Sequence, residues 1–303
     1  MAQYFVRRLR WGEQLEEQFW CIEEEKVYQI DVVSSSGLSV CPRAAGETVR
    51  DVLDKIMKDG EWYELSLKPG EYFPRMARPD STNKTGPGRN PDTSDEFRFY
   101  RARSTGQLHA FIQELEHICG VIHPEGSNLQ CFGHATRNIL ILACTEVEAH
   151  WKKILEANGY ENTERRDRRL NTEHYVTLLD AMRLDQYVVS LNYYPWLSTA
   201  APFQGWNREK PTKSLPWYNA HNLVKHNREE HFAEATLERA LTAVTACFVM
   251  LCAQYGWDFA LQGEEGGRAF FQLVEWPTWS PSEIYVPPFE DGRYKPLRYQ
   301  FHA

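Results

Sequence analysis

Apolar positions along this chain change their period several times, and each change marks a boundary. Over residues 27–33 and 61–67 apolar and polar side chains alternate or nearly so, the pattern of half-buried strands. A turn is expected at Ser34-Ser35-Ser36-Gly37. Between the two strands, residues 48–58 put Val49, Val52, Leu53 and Ile56 on one helical face, with Gly60 just beyond as a stop. Residues 78–95 hold three prolines, two glycines and almost nothing apolar, which predicts a mobile surface loop. Residues 96–103 alternate charge and aromatic ring, as a strand with one wet face does.

From Gly106 the period becomes helical. Leu108, Phe111, Ile112, Leu115 and Ile118 form a stripe that ends at Gly120. Residues 133–158 are apolar on every side at Ile139 through Ala143 and close on Asn158-Gly159, so a buried central helix is expected. Residues 172–185 read as a helix with Tyr175, Leu178, Leu179 and Met182 inward, and 187–194 as a strand stopped by Pro195. Pro216, two residues after Ser214, starts a further helix near Trp217. The chain then runs through a long apolar helix to Tyr255 and returns to extended structure at 270–276 and 294–301. The resulting expectation is an α+β fold: a central helical bundle over 105–255 with N- and C-terminal strand regions packed on it. Residues 1–104 form the β-rich region, and 256–303 an extended segment packing back on it.

The chemistry concentrates on the helix after Pro216. At 100° per residue, Ala220, Leu223, Val224 and Asn227 fall on one arc, expected to face inward. Tyr218, His221, Asn222, Lys225, His226 and Glu229 fall on the opposite arc, expected to face out. Histidines titrate near neutral pH, and here two share a face with an amide and an ammonium group. His221, His226 and His231 are five residues apart, which turns successive rings about 140° from each other and argues against zinc. No metal and no cofactor is expected.

The run His221-Asn222-Leu223-Val224-Lys225-His226, followed by Asn227-Arg228 and a long apolar helix, resembles the HEPN superfamily of helical-bundle nucleotide- and RNA-binding domains. Its motif is an Arg, commonly followed by Asn, then a His after four to six residues. Asn222 and His226 match, Tyr218-Asn219 with Lys225-His226 matches a frequent variant, and His221 stands where the arginine belongs. The resemblance implies RNA or nucleotide as partner, a homodimer, and membership of a prokaryotic toxin or antiphage system. Members that cleave RNA do so without metal, through attack of the 2′-hydroxyl on the adjacent phosphate. His226 would then transfer the proton, and His221, Lys225 or Arg228 would stabilise the crowded phosphorane. Asn222 completes the candidate catalytic set. The rival expectation is a non-catalytic module that docks a protein partner through the same face, since His is a poor substitute for a bidentate Arg.

Elsewhere, Arg165, Arg166, Arg168 and Arg169 form the one concentrated basic run, a candidate phosphate contact together with Tyr218 and Asn219. Lys84-Thr85-Gly86-Pro87-Gly88 lacks a following G-K-[ST] and is read as loop, not a phosphate cradle. Glu146, on an apolar stripe one turn from His150, is read as a carboxylate paired in the core with His150 or Arg137, or as the end of the stripe near solvent, rather than as a catalytic group. A net charge of −8 excludes a broad basic surface for duplex nucleic acid and leaves room for a local one. Seven cysteines without a C-x-x-C pair read as reduced, buried thiols. With no signal-peptide or membrane-spanning pattern recognised, the expected location is the cytoplasm.

Overall fold

The computed structural model describes residues 2–11, 14–30, 40–44, 46–56, 60–80, 86–161, 169–256, 259, 270–288 and 292–301. Strands β1 (Gln3–Trp11), β2 (Gln14–Ile22), β3 (Lys26–Gln29) and β4 (Val40–Pro42), helix α1 (Val49–Ile56), and strands β5 (Glu61–Glu64) and β6 (Glu71–Tyr72) open the chain. Helices α2 (Asp95–Val121), α3 (His134–Ala157), α4 (Thr172–Tyr175) and α5 (Thr177–Met182) lead to strand β7 (Val188–Leu191). Then come α6 (Pro216–His226), α7 (Arg228–His231), α8 (Leu237–Tyr255), β8 (Phe271–Glu275) and β9 (Lys295–Pro296). The protein is α+β, in two compact units.

The first unit comprises residues 1–72, 78–84 and 279–296. Its antiparallel sheet has the order β4-β3-β2-β1-β5. Because strand side chains alternate between faces, register decides what each face buries. Phe5 pairs with Trp20 and joins Ile22, Val27 and the α1 residues Val52 and Leu53 on one side. Val6 pairs with Phe19 and joins Leu65, Ile284 and Val286 on the other. The sheet is therefore covered on both faces, by α1 and by the C-terminal segment. Arg7 is buried with its Nη1 donating to Gln18, 3.1 Å away, and its guanidinium 5.6 Å from the Trp62 ring centre.

The second unit comprises residues 73–77, 85–278 and 297–303. Helix α8 packs on α2, α3 and α6, and α3 packs on α2 and α6. Almost every residue of α8 is buried, which its apolar composition on all sides predicts. It is long and apolar enough to cross a membrane by length and composition, and 83% of that window is buried inside the protein. One aromatic cluster locks the bundle: the Trp151 ring lies 4.9 Å from Trp206 in a stacked arrangement and 5.4 Å from both Tyr175 and Tyr218. The antiparallel pair β7 and β8 joins the same core, with Phe271 stacked 5.0 Å from Phe248 of α8.

Several expectations are met closely. The helices over 48–58 and 133–158 are α1 and α3, the latter ending at Asn158 with Gly159 at φ 72°. Others are corrected. Residues 96–103 are the first turns of α2, not a strand: the Ser94 side chain accepts from the Phe97 N–H, and Asp95 and Glu96 complement the helix dipole in its first turn. Of the expected surface loop at 78–95, residues 81–85 lie outside the described residues, but Gly86, Pro87, Gly88 and Asn90 are buried. Asn90 donates to the Met76 carbonyl, and polar composition gave no sign of that anchoring.

Candidate functional site

Helix α6 begins at Pro216 with Leu215 as its cap residue, so Ser214 does not cap it; the Ser214 hydroxyl instead accepts from the Asn207 N–H at 3.2 Å. The helix ends at Asn227, whose backbone (φ −141°, ψ 79°) leaves the helical region. Residues 228–234 form one short helix and a 3-10 turn, and only at Thr236, whose side chain caps Arg239 N, does α8 start. This break sets the outward group: Lys225, His226 and Arg228 are all exposed at the end of α6 and the start of α7. Asn219 and Asn222 are half-buried, and the Asn222 amide donates to the Tyr218 carbonyl at 3.1 Å.

Two residues assigned to the outward arc point inward. Tyr218 is 4% exposed and His221 0%. Tyr218 enters the Trp151 cluster and its hydroxyl donates to Glu148 on α3. The ring of His221 packs 5.5 Å from Tyr218, its Nδ1 stands 4.0 Å from the Glu148 carboxylate, and neither ring nitrogen makes a hydrogen bond. The physical reason is the width of the buried face. With α3 on one side and α8 on the other, α6 buries Trp217, Tyr218, Ala220, His221 and Val224, while Asn227, assigned inward, is exposed beyond the last turn. The four-arginine run is outside the described residues except for Arg169, which is exposed.

Electrostatics follow burial. Burial first, with Lys225 and His226 adding to it, holds the His221 pKa down at about 4. His221 is thus neutral at pH 7 and cannot supply the cation that the missing arginine would. Burial, with the Glu148 carboxylate beside it, pushes the Tyr218 phenol up. His150, 3% exposed, is likewise held down, to about 3, by burial and by Arg75. Its Nε2 is 3.4 Å from Glu146, whose own pKa burial raises against the pull of Arg103 and Arg75.

This arrangement has a consequence for stability. A His whose folded pKa lies below its unfolded value of about 6.5 takes up a proton more readily when unfolded, so stability falls as pH drops from about 6.5 toward the folded pKa. For His221 the window is therefore pH 6.5 down to about 4. Its maximal contribution is about 1.4 kcal/mol per pH unit. Since the ring nitrogens are unpaired, His221→Phe is expected to match wild type in urea unfolding at pH 7.5 and to lose less stability between pH 6.5 and 4.5. Parallel acid slopes for the two proteins would show that His221 is not protonated on unfolding in that window.

Sequence reading passed over Glu148, and over Arg75 and Gln254. Gln254 carried a signal: an amide in the apolar end of α8 must find partners. It does, accepting from Arg75 Nε at 2.8 Å and contacting His150 Nδ1 at 3.2 Å. Arg75 carried none, because a left-handed backbone (φ 58°) at a non-glycine residue is set by its surroundings. Among the described residues no cluster of three or more His, Cys, Asp or Glu is arranged to hold a metal ion. No family model, curated protein or solved structure matches this chain.

Proposed function

We propose that the second unit is a HEPN-like helical bundle that engages RNA or a nucleotide at the end of α6, with metal-independent RNA cleavage as its reaction. One observation carries the reading. Of the two imidazoles at the motif, His226 is exposed and is flanked in sequence by the exposed cations Lys225 and Arg228, while His221 is sealed. Proton transfer needs an accessible group such as an imidazole, and the developing phosphorane needs a cation; the exposed trio offers both. His221 then serves packing, and the burden of the absent family arginine moves to Arg228 or Lys225. In a homodimer, the second copy would complete the cleft.

The test uses the full chain with single-stranded RNA in EDTA. Cleavage leaving cyclic phosphate ends is expected, and His226→Ala should lower the rate at least 100-fold, in the range that general acid–base groups contribute. Its melting temperature should match wild type, because the side chain is exposed. The acidic neighbours Glu229 and Glu230, both exposed, favour the second reading, a non-catalytic surface that docks a protein partner. Intact RNA after long incubation, with no binding at low salt, would leave only that one.

A further inference from the structure

A cavity of about 370 Å³ opens in the second unit at the N-terminal end of α2, where the segment 73–77 passes α3 and α8. Arg75 forms part of its wall. The backbone holding Arg75 in its left-handed conformation is tied on both sides: Asn158 donates to the Pro74 carbonyl at 2.9 Å, and Ala77 N–H donates to the Ala253 carbonyl at 2.8 Å. Gln254, fully buried, takes the Arg75 Nε and is itself fixed by donating to the Met250 carbonyl at 2.8 Å. Nε is therefore used and the terminal nitrogens are left over.

No carboxylate among the described residues pairs with this guanidinium. The acidic groups nearby have closer contacts, Glu146 with the neutral His150 ring and Glu156 with the ammonium groups of Lys152 and Lys153. Burial lowers the Arg75 pKa, and Tyr255, Tyr100 and the carboxylates Glu146 and Glu156, none of them within ion-pair distance, only partly oppose it. An arginine in a folded protein does not give up its proton, so the charge stays and calls for a counter-ion. Beside it the wall is aromatic. The Arg75 guanidinium lies 5.8 Å from the Tyr100 ring centre, and Phe97 lies 5.1 Å from Tyr255. The lining also includes the carboxylates Asp92, Glu96 and Glu156 and the ammonium group of Lys153, which is paired with Glu156.

We propose that this cavity binds a small aromatic anion of nucleoside-monophosphate size, with its phosphate on the terminal nitrogens of Arg75 and its planar ring against Tyr100 and Phe97. The volume is at the lower end of the range for small-molecule sites, which suits one ring, one sugar and one phosphate. Charge-assisted, bidentate bonding to phosphate is what a planar guanidinium with two free nitrogens offers. The three lining carboxylates accept from sugar hydroxyls and repel additional phosphates, so a monophosphate is preferred over a triphosphate. The site contains no residue of α6 and stands whether or not the RNA reading does.

Isothermal titration of the full chain with AMP, adenosine, inorganic phosphate and ATP tests it. AMP is expected to bind saturably with one site per chain, and each of the other three at least tenfold more weakly. Arg75→Met should weaken AMP at least tenfold, and Tyr100→Ala severalfold with an unchanged melting temperature. If Arg75→Met fails to fold, Tyr100→Ala, altered at a position 37% exposed, decides the matter. Absence of AMP binding at millimolar concentration, or AMP affinity unchanged in a folded variant of either kind, overturns the assignment.

Discussion

Trp151→Ala is expected to cost about 3–5 kcal/mol of folding stability, the range measured for large aromatic truncations in packed cores. Trp151 is fully buried in the C-terminal half of α3, and its ring meets five aromatic neighbours: Tyr175, Phe203, Trp206, Trp217 and Tyr218. Removing it leaves a void bounded by side chains that belong to three separate stretches of chain. Those stretches cannot all collapse inward together, so the cavity term adds to the lost transfer free energy. Against a total stability of about 5–15 kcal/mol for a typical domain, this is a large fraction. The indole N–H makes no hydrogen bond, so Trp151→Phe sheds a buried, unsatisfied donor along with volume and should cost much less. Urea unfolding of the two variants side by side gives the comparison. An alanine variant within 1 kcal/mol of wild type would show that the aromatic cluster is not the keystone of the bundle.

Gly256→Ala should be of similar size for a different reason. Gly256 ends α8 at φ 64° and ψ −137°, a region open in practice to glycine alone. A Cβ there would sit 2.2 Å from the Gly88 carbonyl oxygen and 3.0 Å from the Ala77 Cβ. Both obstacles are anchored, since residue 89 bridges to Gly256 and Ala77 bonds to the Ala253 carbonyl. Backbone strain of about 1–3 kcal/mol combines with displacement of buried backbone at 86–90, and a total above about 3 kcal/mol is expected. Thermal melts read it directly. A small loss would mean that the 86–90 segment yields freely, contrary to its burial.

The long bundle helices were legible because their signals are redundant. Over α3 the apolar run, the stripe and the Asn158-Gly159 stop all agree, and the structure follows them to the residue at the C-terminal end. At residues 96–103 two local rules conflicted. Alternation of Arg and aromatic residues argued strand, but in the structure the Ser94 side chain caps a helix whose first turn carries Asp95 and Glu96 and which runs on through the apolar stripe beyond Gly106. The candidate site was half legible. Arc analysis sorts a helix into two faces, but α6 has neighbours on more than one side, and no periodicity tells a helix how many. Hence His221 was placed on the wrong side of the divide while Lys225 and His226 were placed correctly. Arg75 was invisible because its environment is assembled from residues 75, 100, 150 and 254, far apart in the chain.

The apolar coat of α8 also bears on the order in which the protein is made. Helices α2 and α3 leave the ribosome before α8, so the segment that a translocon or a lipid surface would accept emerges beside partners already waiting for it. A circular permutant that led with α8 would have no such escort, and its nascent chain would lean on chaperones until the other helices arrived.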